Sequence, residues 1–225
     1  VTLQVQREGL GFTPEQTAAV ERAWQARPPH IFNGTLLVYR GQSGPAEALT
    51  LWGSFVEYRF YYAQRRGGVP LGLSPIGVSG LMLCEGDLVF ARRSPHVTAY
   101  PNGLELVPSG GLDPDTARPD GTVDYVAQLE REFAEETGAP ASAILDCLVL
   151  GAVYDAPDST YDLACRLRLG LSQAELTAYM AGRDEYGAPI FVPPSGLATW
   201  VAEHGVELLP ATRGVLDLWQ AAGCP

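Results

Sequence analysis

The sequence predicts an α+β fold, or a three-layer α/β/α sandwich, on three observations. Apolar residues make up 46% of the 225 and charged residues 18%, enough for a real core and incompatible with disorder. The predicted elements run as strands, one central helix, strands, then helices, without regular alternation. Gly (25) and Pro (18) punctuate them at short intervals, which makes for many loops. A chain of this length is one large domain, or one domain with a substantial decoration.

Each element has its own signal. Thr13-Pro14-Glu15-Gln16 combines an N-cap, a proline at the first helical position and a capping-box partner, and predicts a helix ending near Arg27. Ile31 to Tyr39 and Leu49 to Ala63 are β-branched and aromatic and read as strands, the second bending at Gly53. Arg65-Arg66-Gly67-Gly68 reads as an exposed turn. Ile76 to Leu83 and Leu88 to Ala91 flank Glu85-Gly86-Asp87 as a hairpin. Pro108-Ser109-Gly110-Gly111 opens a loop that runs to Gly121. A helix follows from Val123 to Thr137, with Gly138 as its stop and Pro140 beyond. Ile144 to Tyr154 and Leu163 to Leu169 read as strands. Ser172-x-x-Glu175 caps a helix to Ala181, and Ile190 to Val192 is a short strand. Two helices close the order, Ser195 to His204 and Ala211 to Ala221.

Charge narrows the function. The formal net charge is -11, and all 15 cations are arginine. Sequence-blind nucleic-acid binding runs on phosphate neutralisation, so no nucleic-acid partner is expected. Small phosphates remain accessible through a metal ion or a local arginine cluster. No apolar stretch reaches about 18 residues, so no membrane span is expected. Val1 to Gly11 shows no export-signal pattern. Cys84, Cys147, Cys165 and Cys224 form no CxxC pair, and the first three lie in apolar runs as reduced core residues. A cytoplasmic location follows.

The most informative stretch is Glu130-Arg131-Glu132-Phe133-Ala134-Glu135-Glu136-Thr137-Gly138. On a helix, Glu132, Glu135 and Glu136 share one face. Val126, Leu129 and Phe133 form an adjacent apolar stripe that pins the helix and keeps those carboxylates from turning away. A solvated acidic face is one reading. The other is a hard divalent cation that relieves the repulsion and takes oxygen ligands. The Gly-Gly turn before the helix and the glycine directly after it favour the second.

Arg131 to Ala139 resembles, position for position, the second half of the Nudix hydrolase signature, G-x5-E-x7-R-E-U-x-E-E-x-G-U, with U apolar. Gly110-Gly111 resembles the Gly pair that opens it, and the flanking similarity covers Ile76 to Pro193. Two departures stand out. Arg131 lies twenty positions after Gly111 where the signature has fourteen, a six-residue insertion. Val123 occupies the first glutamate's place, with Asp124 one residue off and Asp113, Asp115 and Asp120 in the loop.

The resemblance implies a Nudix-like mixed sheet between helices in a catalytic domain, residues 69–225. Residues 1–68 would be an N-terminal extension packed on it. It implies Mg2+ (or Mn2+) and hydrolysis of a diphosphate bridge in a nucleoside diphosphate linked to another moiety. Glu132, Glu135 and Glu136 would be catalytic and metal-binding, with the Gly110 carbonyl as a further ligand. Arg131 would hold the glutamates by salt bridges. Arg92 and Arg93 could face the phosphates, and Glu185 could supply a further carboxylate from its loop. Phe32-Asn33-Gly34, with the enlarged loop, resembles a branch that hydrolyses UDP-sugars, which makes Asn33 a substrate-binding candidate. The alternative is a Nudix-fold nucleotide-binding or regulatory protein that has lost turnover, as Val123 would permit.

Overall fold

The computed structural model describes residues 1–6, 8–97 and 99–223; Cys224 lies outside them. The fold is α+β, with sheets flanked by helices, as expected. In chain order the elements are β1 (Thr2–Val5), α1 (Pro14–Gln25), β2 (Thr35–Ser43), β3 (Thr50–Glu57) and α2 (Tyr58–Gly67). Next come β4 (Ile76–Cys84), β5 (Asp87–Arg92), β6 (Leu104–Leu106), β7 (Ser109–Gly111) and α3 (Tyr125–Thr137). The last are β8 (Ile144–Asp155), β9 (Thr160–Leu169), α4 (Gln173–Met180), β10 (Ile190–Val192), α5 (Leu197–His204) and α6 (Pro210–Ala221).

The chain forms two compact units. The first comprises Val1–Gly77, Gly111–Tyr125 and Ser159–Tyr161. Its sheet runs β1-β3-β2, with β1 parallel and β2 antiparallel to β3. The loop after Gly111 belongs here because it pairs with β1: Val5 N donates to Gly121 O at 2.8 Å and Val123 N to Leu3 O at 2.9 Å. Both capping-box bonds of α1 form at Thr13 and Gln16. Val20 of α1 and Phe60 and Ala63 of α2 share one apolar cluster with Val38 and Val56.

α2 replaces the second half of the expected strand Leu49 to Ala63. The strand stops at Glu57, and Asn33 Oδ1 then accepts from Arg59 N at 2.9 Å, satisfying an amide of the first helical turn. Trp24 packs edge-on against Tyr62, with ring centroids 5.6 Å apart. Aromatic residues favour strands only weakly, and a cap plus an apolar helical face outweighs that preference. The expected Arg65–Gly68 turn is the end of this helix, closed by Gly68 at φ 67°.

The second unit comprises Val78–Gly110, Val126–Asp158 and Asp162 onward. Its sheet runs β10-β5-β4-β9-β8, with β6 on β5 and β7 on β4. The β4–β5 hairpin turns on Glu85 and Gly86, both at positive φ, as a two-residue primed turn requires. Phe90, Leu104, Leu106, Leu216 and Trp219 belong to the core that joins the sheet to α6. Cys84, Cys147 and Cys165 are free thiols.

Candidate active site

The site is built on α3, and the apolar stripe holds it as expected. Leu129 and Phe133 are fully buried. The glutamates one step round the helix are therefore fixed in direction but differ in depth: Glu136 is buried, Glu132 half-buried and Glu135 exposed. All three line one cavity of about 320 Å³ together with Gly182, Arg183, Asp184 and Glu185. Five carboxylates thus meet a single arginine there.

Gly110, in β7 where a loop was expected, lies against Glu132. A Cβ at Gly110 would overlap the Glu132 carboxyl group, with Oε2 only 2.6 Å away, so any other residue would displace that carboxyl group. The neighbouring Ser109 N donates to both oxygens of Glu136, at 3.3 and 3.2 Å. Glu132 is steadied from its own helix: Gln128 Nε2 donates to its Oε1 at 2.7 Å. Gln128 Oε1 is buried and has no hydrogen-bond partner among the described residues.

Behind Glu136 lies a polar network that joins two anticipated residues, Arg93 and Glu185, to two that sequence reasoning missed, Glu105 and Tyr186. Tyr186 Oη donates to Glu105 Oε1 at 2.5 Å and lies 3.4 Å from Glu136 Oε1. Arg93 forms a very short ion pair with Glu105 and a looser one, 3.7 Å, with Glu185. The Glu185 loop is joined to the strand end by Ser94 N to Glu185 O, 2.7 Å, and Gly187 N to Arg92 O, 2.9 Å. A charged residue between two leucines, Leu104-Glu105-Leu106, was the available signal for Glu105. Tyr186 stood beside Glu185 without one.

Burial raises the Glu136 carboxyl well above the ordinary glutamate value, and Glu185, Glu105 and Glu132 add to the effect. Burial also raises Glu105, against the pull of Arg93 and Tyr186.

The other expected residues are placed as follows. Arg131 is half-buried on α3. Arg92 turns to Glu207 at 2.7 Å and to Asn102 O at 2.6 Å, and is not among the residues lining the cavity. Asn33 belongs to the first unit, its amide donating to Glu57 at 2.5 Å while its oxygen caps α2. Arg183, not singled out in advance, lies over the C-terminus of α3 and lines the cavity. A Cβ on Gly138 would overlap its guanidinium, with Cζ 2.6 Å away. Asp124 pairs with Arg118 at 2.5 Å and Asp120 with Thr122 at 2.7 Å, while Val123 is an apolar residue 5% exposed.

The donor set suits a hard cation: carboxylate oxygens around one cavity, with the bare Gly110 backbone against one of them. Among the described residues, no three His, Cys, Asp or Glu side chains converge closely enough to form a finished metal site. Glu132, Glu135 and Glu136 nevertheless line one cavity.

No family model matches the chain, and no curated protein matches it. Solved structures do. A Nudix hydrolase from Nitrosomonas europaea matches at 13% identity and TM-score 0.47, over 66% of this chain and 90% of that one. A MutT protein from Methanosarcina mazei Go1 matches at 19% identity and TM-score 0.45, over 67% and 95%. A bifunctional NMN adenylyltransferase/ADP ribose pyrophosphatase from Francisella tularensis, complexed with AMP and a Mn ion, matches at 13% identity and TM-score 0.48, over 73% and 46%. Likeness at this level leaves the site's own geometry as the basis for function. No helix among the described residues is long and apolar enough to cross a membrane.

Proposed function

We propose that this chain is a Nudix-type pyrophosphohydrolase, dependent on Mg2+ or Mn2+, with residues 69–225 as its catalytic part and residues 1–68 as an extension. Its substrate class is a nucleoside diphosphate linked to another moiety, with nucleotide sugars such as UDP-sugars first to assay. The observation that carries this reading is the cavity where Glu132, Glu135, Glu136 and Glu185 gather, with the bare Gly110 backbone against Glu132.

Glu132, Glu135, Glu136 and the Gly110 carbonyl would hold the cation. When bound, it would neutralise phosphoryl oxygens and acidify bound water. Gln128 Nε2 holds Glu132 Oε1, and the Glu132 carboxylate would orient the attacking water and take its proton. Water then bonds to phosphorus, and the bridging oxygen leaves with the bond's electron pair. Arg131 would steady the glutamates. Arg183 at the cavity is placed to meet a phosphate, whereas Arg93 is already committed to Glu105. Asn33, engaged as a helix cap, adds no contact to this reading.

The second reading, nucleotide binding without turnover, is favoured by the apolar Val123. Incubation with a panel of nucleoside diphosphate compounds and Mg2+ or Mn2+, followed by 31P NMR, separates the two. Cation-dependent appearance of two phosphomonoesters is the expected result. Saturable binding without product would establish the second reading, and neither result would refute both.

A further inference from the structure

We propose that Tyr186 is a positioning residue of the cation site: its phenol hydroxyl holds the Glu136 carboxylate in place for the ion. The inference rests on the function proposed above and assigns a role to a residue outside the acidic cluster. Tyr186 is 4% exposed, and its Oη lies between two glutamates, 2.5 Å from Glu105 Oε1 and 3.4 Å from Glu136 Oε1. A phenol carries one hydrogen, so it serves one carboxylate at a time. Arg93 Nη1 donates to Oη at 3.4 Å, which leaves that hydrogen to point at a glutamate.

Glu105 does not depend on the hydroxyl. The Arg93 guanidinium pairs with the same Glu105 oxygen and carries the opposite charge. Glu136 has less to hold it: Ser109 N divides a single hydrogen between its two oxygens, at 3.3 and 3.2 Å. Bonds of that length hold a carboxylate loosely. Tyr186 approaches Glu136 from a third element, after α3 and β7, and its own backbone is fixed. It bridges to Arg93, between the bonds from Ser94 N to Glu185 O and from Gly187 N to Arg92 O. Phenylalanine would fill the same space without a polar atom to bury. A hydroxyl kept between two carboxylates, one already matched by an arginine, serves the other.

Mn2+ binding to the full chain, measured by calorimetry, tests this in the parent, Tyr186→Phe, Glu185→Gln and the double variant. Tyr186→Phe is expected to weaken Mn2+ binding about tenfold. A hydroxyl that served Glu105 alone would lower the melting temperature and leave Mn2+ affinity untouched, and that result would overturn the proposal. An equal loss is expected when Tyr186→Phe is added to Glu185→Gln, because the hydroxyl acts on Glu136 and not through its neighbour in the loop. Disappearance of the loss in that background would overturn the proposal as well. Where a variant fails to fold or to bind, a crystal of the parent chain with Mn2+ decides. Tyr186 Oη within about 3.2 Å of a Glu136 oxygen is the expected result, and Glu136 turned away from the hydroxyl would overturn it. A parent chain that binds no Mn2+ would instead refute the function proposed above and take this inference with it.

Discussion

Glu105 and Glu136 are each 5% exposed and each within hydrogen-bond reach of Tyr186 Oη, yet their surroundings differ in charge. Glu105 faces the Arg93 guanidinium, so its charge is matched inside the protein. Glu136 receives backbone bonds from Ser109 N and stands among Glu185, Glu105 and Glu132, which repel its ionised form. Burial penalises both carboxylates, but Glu105 has an opposite charge to offset the penalty where Glu136 has the Ser109 amide. One glutamate is a strut; the other is an acceptor still short of a positive charge.

Breaking the strut should have the largest effect on stability. Glu105→Leu removes the close partner of Arg93 and leaves it the looser pair with Glu185, a loss of about 3–5 kcal/mol for a broken buried pair. Chemical denaturation should show it, and the double variant Arg93→Met/Glu105→Leu should recover much of the loss. Breaking the acceptor should instead be felt in turnover. Glu136→Gln and Glu132→Gln should each lower turnover about 100-fold or more at saturating Mg2+, with the fold intact by circular dichroism. Near-full activity in either would erase the distinction drawn between the two glutamates.

Asp162 sharpens the comparison as a third case, a carboxyl supported by a hydroxyl. Ser79 Oγ donates to it at 3.0 Å, and burial raises its pKa from 3.8 to about 6. The unfolded chain then gives up this proton at lower pH than the native state does. Stability contributed by the neutral acid is present below pH 3.8 and lost as pH rises through about 6. Asp162→Asn should therefore gain stability relative to the parent above pH 6, with little gain at pH 4, in thermal melts across that range. A parallel pH profile for the two proteins would contradict this. Smallest of all, Glu135→Gln at an exposed position should change metal-free stability by less than about 0.5 kcal/mol.

Much of the fold was legible wherever local chemistry and tertiary context agree. The capping boxes at Thr13 and Ser172 and the Glu85-Gly86 turn are local devices, and each forms as its residues require. β1 was not legible, since four residues carry too little periodicity and their pairing partner β3 lies over forty residues away. α2 was misread because its cap, Asn33, lies twenty-six positions from Arg59. The same logic divides the site. Glu132, Glu135 and Glu136 share one helix and were readable from spacing. The Glu105–Tyr186 bond joins residues 81 apart, a closure that no local pattern announces.

The loop carrying Glu185 is sewn to the end of β5 by two backbone bonds, Ser94 N to Glu185 O and Gly187 N to Arg92 O, one on either side of Tyr186. A carboxylate on a surface turn thereby inherits the stillness of a sheet. Lengthening that turn by even one residue between the two stitches would cost aim before it cost folding.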